Sequence, residues 1–245
     1  MYRARGLLTI ALALASLGLG VCEVYAAQVS VSPTSVELSA KRTSATVTLR
    51  NSSGESVVMQ SSVATWVRQA GEDQHKPTTD LIATPPIFTI PPNGTQIVRV
   101  GFRRPVDPRK ELAYRLFLQE VPPEKPLDRS GVRLALKMIL PVMVEAANPS
   151  PPRPSWSGAR RSDGSIEVTL FNAGGTHVSV QELKIGAIKG VPTPRSQPAA
   201  PSVLPGSRQT WVFSPSAGDS SARTVHVKAL SSVGPLETDV ALPAR

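Results

Sequence analysis

Apolar and polar positions alternate with a period of two along most of the chain. Val29 and Val31, Thr46-Val47-Thr48-Leu49, residues 57–67, Ile97-Val98-Arg99-Val100, residues 114–121 and residues 132–144 are short stretches rich in β-branched and apolar side chains. A period of two sends alternate side chains to opposite faces, so each stretch is read as a strand. Turn-forming clusters separate them: Asn51-Ser52-Ser53-Gly54, Ala70-Gly71-Glu72-Asp73, Pro91-Pro92-Asn93-Gly94 and Asp128-Arg129-Ser130-Gly131. Many short strands at this spacing predict an antiparallel sandwich. No stretch after the N-terminal segment keeps a helical period.

The pattern breaks once. Residues 146–155 contain four prolines, which favour an extended, semi-rigid connector over a compact element. Strand grammar then resumes in residues 165–171, 177–185, 209–213 and 224–229, with turns at Asp163-Gly164 and Ala173-Gly174-Gly175. Residues 190–205 hold five prolines and read as a surface loop. The expectation is an all-β chain of two sandwich domains, 27–146 and 156–245, joined by a Pro-rich hinge at 147–155.

Residues 1–26 form a separate element. Arg3 and Arg5 precede an apolar run from Leu7 to Val21, and Val24-Tyr25-Ala26 offers small residues for cleavage before Ala27. This is the build of a secretory signal peptide. The run is shorter than the ~20 residues of a membrane span, and no later stretch is long and apolar enough, so no membrane insertion is expected. Leu19-Gly20-Val21-Cys22 resembles a lipoprotein processing box, but Val21 is bulky where a small residue belongs.

Composition narrows the chemistry. The 245 residues contain 24 Pro and 17 Gly, where average usage would give roughly 12 Pro, which disfavours long helices. The one cysteine, Cys22, excludes an intramolecular disulfide and paired-Cys metal or redox motifs. His75, His177 and His226 lie far apart in sequence and without ligand spacing, and there is no nucleophile elbow, dinucleotide fingerprint or P-loop. No cofactor, metal site or enzyme activity is expected. The net charge is +9, and +8 once residues 1–26 are removed, divided evenly between the halves. The only Arg-Arg pairs are Arg103-Arg104 and Arg160-Arg161, and the charge does not form the clustered, aromatic-interleaved surface of a nucleic-acid binder.

Several motifs together carry a resemblance. Thr84-Pro85-Pro86, the Pro92-Asn93-Gly94 turn before Ile97-Val98-Arg99-Val100, and the run from Tyr114 through Pro122-Pro123 before a long apolar strand closely resemble the PapD-like periplasmic chaperones of chaperone/usher pilus assembly. The likeness is specific over about residues 29–146; residues 156–245 agree mainly in position and strand grammar. It implies two immunoglobulin-like sandwiches set at an angle to form a cleft, a periplasmic location and no enzyme activity. The implied partners are pilus subunits and an outer-membrane usher, and a self-dimer capping the donor strand is left open. The alternative is an exported two-domain immunoglobulin-like module that is itself adhesive or surface-binding.

The family mechanism rests on one strand lent to a subunit that lacks its own last strand. Here residues 131–144 alternate so that Val132, Leu134, Leu136, Met138 and Leu140 share one face. The resemblance assigns Val132, Leu134, Leu136 and Met138 to subunit binding; the plain reading of the same pattern is that they pack in the chain's own core. The family's usual cationic pair for the subunit's terminal carboxylate falls on Ser35 and Pro141, and residues 135–142 look more like the divergent, archaic branch. A desolvated carboxylate still needs a cation. Arg115, a charge within an apolar run, is the first candidate, against a solvent-facing role; Lys137 and Arg99 follow. Thr84-Pro85-Pro86 and Pro122-Pro123 are read as strand terminators, with room for a cis bond. Glu120 matches a family glutamate in an interdomain salt-bridge network, for which Arg160 or Arg161 could serve as partner.

Overall fold

The computed structural model describes residues 28–69, 72–122, 134–186, 195–197, 200–215 and 222–243; the expected signal peptide and Val132 lie outside them. Among the described residues there is no helix.

The first sandwich is built from β1 (Val29–Ser32), β2 (Val36–Leu38), β3 (Ser44–Asn51), β4 (Val57–Gln69), β5 (Glu72–Pro77), β6 (Leu81–Thr84), β7 (Ile87–Ile90), β8 (Thr95–Phe102), β9 (Leu112–Glu120) and β10 (Lys137–Val144). One sheet runs β1-β3-β8-β6; the other runs β2-β10-β9-β4-β5, with β7 also on β4. The chain changes sheets between β1 and β2, just after the cis Ser32–Pro33 peptide, and Thr84–Pro85 is cis as well. Pairing is antiparallel except where β2 joins β10 in parallel. The alternation explains the core: Val47 and Leu49 on β3, Val98 and Val100 on β8, Leu116 and Leu118 on β9, and Val142 on β10 point inward and are fully buried.

The second sandwich contains β11 (Pro154–Arg160), β12 (Ile166–Asn172), β13 (Val178–Gly186), β14 (Arg195–Gln197), β15 (Ala200–Val203), β16 (Arg208–Phe213), β17 (Thr224–Ser231) and β18 (Gly234–Ala241). A three-stranded sheet β11-β12-β16 faces a sheet β14-β13-β17-β18, with β15 also on β13. Ile166, Val168, Leu170, Leu183 and Val227 fill its core. The surface-loop reading of residues 190–205 is overturned at its end: β15 pairs β13, and Val203 and Leu204 are buried. Apolar residues at those two positions outweigh the prolines around them.

Both sandwiches reuse one device. Asn51 and Asn172 close β3 and β12, and each is fully buried. Asn51 Nδ2 donates to the carbonyls of Glu55, Ile90 and Pro91, while its Oδ1 accepts from Ser53. Asn172 Nδ2 donates to Thr176 and Val203, and its Oδ1 accepts from the N–H groups of Arg153 and Gly174. A buried amide with every bond made ties a turn to its sandwich without a solvation penalty.

The connector is held from both sides. Ala147 and Asn148 donate to the carbonyls of Asp107 and Pro108 in the first sandwich, and Ser150 O accepts from Thr176 Oγ1 in the second. Gly174 and Gly175 make this approach feasible: a Cβ at Gly175 would meet Ser150 Oγ and Arg109 O, and one at Gly174 would lie 2.5 Å from Pro152 Cα and 2.6 Å from Arg153 N.

Candidate functional site

Two features converge where the sandwiches meet: the edge of β10 and the outward face of the sheet to which it belongs.

β10 pairs along its whole length with β9, from Lys137 opposite Gln119 to Val144 opposite Leu112. Its other edge is covered by β2 only at Val142, Met143 and Val144. The side chains on the shared face emerge stepwise from the core. Leu140 is buried, Met138 is half-buried against the core, Leu136 is half-buried and Leu134 is 61% exposed. Regular strand begins only at Lys137. Glu120 fastens the segment before it: its backbone N–H donates to Leu136 O and its carboxylate accepts from Leu136 N at 3.0 Å. Glu120 thus braces the strand entrance. The suggested partners are engaged elsewhere, Arg160 on the Ala222 carbonyl and Arg161 on Glu167.

The opposite face of this sheet looks toward the second sandwich. Register places Trp66 opposite His75 and Arg68 opposite Asp73 on β5, Ala64 opposite Arg115 on β9, and Arg115 opposite Pro141 on β10. Trp66 and Met143 are buried with Leu204 of the second sandwich against Ala113. Arg68 Nη1 donates to Gln209 Oε1 across the same junction. A cavity of about 580 Å³ opens between Arg68 and the β12–β16 face, where Arg208 lies over the Phe171 ring.

Arg115 belongs to this cleft. Its side chain is 13% exposed, so it is not a solvent-facing residue. The guanidinium carbon lies 3.5 Å from the Trp66 ring centroid, and Nη2 is 3.5 Å from Asp73 Oδ2. Its buried Nε has no hydrogen-bond partner, and neither has Trp66 Nε1. Burial pushes the Arg115 pKa down; Asp73 raises it and Arg68 lowers it. Lys137 is exposed, with Nζ 5.5 Å from the Phe117 ring centroid. Arg99 is exposed on the outward face of the other sheet. The structure therefore brings Arg115 together with Arg68, Asp73 and Trp66, and leaves Arg99 apart.

Sequence reasoning missed Arg68, Asp73 and Trp66. A faint signal existed: continuing the period of two along β4 puts Ala64, Trp66 and Arg68 on one face. It also missed Glu111 and His177, whose separation in sequence gives no local signal of their contact. Glu111 N donates to Gly175 O, and the Glu111 carboxylate accepts from His177. His177 has a raised pKa because that carboxylate holds its imidazolium, against the opposing effect of burial.

A family model described as the pili and flagellar-assembly chaperone PapD N-terminal domain matches residues 28–149. No curated protein matches the chain. Among solved structures, a chain of the CsuC-CsuE chaperone–tip adhesion subunit pre-assembly complex from the archaic chaperone-usher Csu pili of Acinetobacter baumannii aligns with TM-score 0.64 and 17% identity, covering 89% of this chain and 100% of that one. A chain of the Salmonella enterica SafA pilin in complex with the SafB chaperone aligns with TM-score 0.59 and 16% identity, covering 89% and 98%. The Escherichia coli chaperone DraB aligns with TM-score 0.57 and 14% identity, covering 91% and 100%. At these identities the likeness is one of fold.

Proposed function

Because the chain belongs, through residues 28–149, to the pili and flagellar-assembly chaperones, we propose that it works in the periplasm on incomplete pilus subunits. It binds a subunit by lending it the free edge of β10 and delivers it to an outer-membrane usher. Residues 1–26 act as the export signal, 27–146 and 156–245 are the two domains, and 147–155 is the hinge.

The observation that carries this reading is the half-covered β10. An edge strand with unpaired N–H and C=O groups is a template for an added strand. Here the open edge coincides with a row of apolar side chains leaving the core at Met138, Leu136 and Leu134; Val132 continues the row by sequence. Backbone bonds complete the subunit's sheet, and the apolar side chains fill the groove left by its missing strand.

Pro141 has no N–H to offer an added strand, so augmentation of β10 ends there, level with Arg115 on β9. The subunit's terminal carboxylate then arrives beside a sequestered guanidinium, a pairing stronger than one between neutral groups. This favours Arg115 as the anchor over Lys137 and Arg99. In the free chaperone a second copy could cap the same edge.

The test is co-expression with the pilus subunit it serves. A soluble one-to-one complex is expected, with the subunit aggregating or being degraded when made alone. Stable, soluble subunit recovered without the chaperone would overturn the assignment.

A further inference from the structure

The Arg115 anchor is not empty of carboxylate in the free chain. Asp73, on the edge strand β5, divides its two oxygens between two guanidinium groups. Oδ1 accepts from Arg68 Nε at 2.9 Å, whereas Oδ2 lies 3.5 Å from Arg115 Nη2. The first contact is a well-formed charge-assisted hydrogen bond; the second is a loose ion pair. Among the described residues, Asp73 is the one carboxylate within salt-bridge distance of either arginine.

The balance of this cluster is uneven. Two cations share one anion, and both are sequestered: the side chains of Arg68 and Arg115 are 6% and 13% exposed. Arg68 is satisfied by Asp73 and by Gln209 across the cleft. Arg115 has a buried Nε–H with no acceptor, one loose contact to Asp73, and Trp66 beneath its plane. A buried guanidinium left short of acceptors is costly, so Arg115 is the member of the pair prepared to take a further carboxylate.

We propose that Asp73 is a resident competitor at the anchor: it holds Arg115 loosely in the free chaperone and yields it to an arriving C-terminal carboxylate while remaining on Arg68. This inference rests on the reading of Arg115 as the anchor. Under it, Asp73 sets how strongly the cleft selects a chain that ends in a free carboxylate. A weak partner attracted to Arg115 must exceed the hold of Asp73, and Asp73 keeps the guanidinium paired and oriented until then. Asp73 is a positioning residue here; it does not touch the partner's main chain.

The experiment compares two synthetic probes on the full mature chain: a peptide of alternating Val and Thr ending in a free carboxylate, and the same peptide ending in an amide. Binding is followed by tryptophan fluorescence and by the side-chain N–H resonances of Arg115 and Trp66. The parent is expected to prefer the acid, and Arg115→Ala to abolish the preference. Asp73→Asn is expected to bind the acid about two- to fivefold tighter with the amide unchanged, the range for releasing a partly exposed ion pair. Asp73→Glu, which keeps a competing carboxylate, is expected to behave as the parent and guards against a merely misfolded Asn variant. If Asp73→Asn leaves the acid–amide ratio unchanged or lowers it while Arg115→Ala abolishes it, the competitor role is wrong and the anchor stands. If the parent shows no acid–amide difference, or Arg115→Ala keeps it, the anchor and the inference fail together.

Discussion

Glu111 and His177 are joined twice across the two sandwiches: Glu111 Oε2 accepts from the His177 backbone N–H and from its Nδ1, each at 2.8 Å. The two residues are 66 positions apart, and the carboxylate is only 9% exposed. One side chain of the first sandwich thereby fixes the entrance to β13 in the second. Because the cleft is formed between the sandwiches, this contact helps to set its angle.

The junction is expected to weaken as pH rises. The His177 pKa is raised above 6.5 in the folded chain, chiefly by the Glu111 hydrogen bond, with Glu37 adding to it and burial opposing it. Glu145 and Arg42 line the same cavity. A raised folded-state value means the imidazolium's contribution is complete below about 6.5 and is lost as pH climbs through the folded value above it. Thermal melting across that window should show a falling Tm. His226, raised by Asp239 and Glu237 on an exposed face, titrates with the same sign. His177→Ala and His226→Ala separate the two, and the larger loss of slope is expected from His177→Ala.

Gly175→Ala should loosen the domain junction. A Cβ there collides with the Arg109 carbonyl and with Ser150 Oγ, and backbone on one side leaves little room to yield. Overpacking of this kind costs about 1 to 3 kcal/mol, and the Glu111 N to Gly175 O bond goes with it. At Gly54 nothing lies within 4 Å, so Gly54→Ala should be nearly neutral. Denaturant titration of the two variants checks the contrast, and equal stability would refute it.

How far these features could be read from sequence depends on where their cause lies. The inward strands declare themselves, because Val98 and Val100, or Ile166, Val168 and Leu170, follow a period set by their own neighbours. β5 does not: Glu72-Asp73-Gln74-His75-Lys76-Pro77 is polar throughout and opens on turn-forming residues, and pairing to β4 makes it a strand. β2, β6, β7 and β11 are short or rich in small and turn residues, so each carries too few alternating positions to declare itself. β18 follows a Gly-Pro start and escaped likewise. Arg115 was legible as a charge within an apolar run. Its partners were not, because register across β4, β5 and β9 brings them together and no local pattern encodes it.

Asn51→Ala and Asn172→Ala should each destabilise the sandwich in which the residue sits. The two amides answer buried carbonyls and turn N–H groups from within, and removing a buried partner strands the rest at about 1 to 3 kcal/mol. The Asn172 variant should also disturb the connector, since Arg153 N loses its acceptor. Hydrogen exchange at Arg153 and Gly174 reports this directly. Exchange there unchanged from the parent would show that the amide is dispensable.

The strand that leaves the core offers the sharpest division between self-packing and donation. Leu140, Met138, Leu136 and Leu134 occupy one face of one segment, and exposure rises from buried at Leu140, through half-buried at Met138 and Leu136, to 61% at Leu134. Leu140→Ala should cost the free chain about 2 to 5 kcal/mol, the range for a buried leucine that leaves a void. Leu134→Ser together with Leu136→Ser removes side chains that the free chain covers incompletely, so its Tm should fall by no more than a few degrees. A subunit that buries both would lose about 1.5 to 3 kcal/mol at each position, enough to prevent recovery of the complex. The readouts are melting of the purified variants and co-purification with the subunit. If the double variant melts as far below the parent as Leu140→Ala does, these leucines belong to the chain's own core. If it melts like the parent and still retains the subunit, β10 is not the strand that is lent.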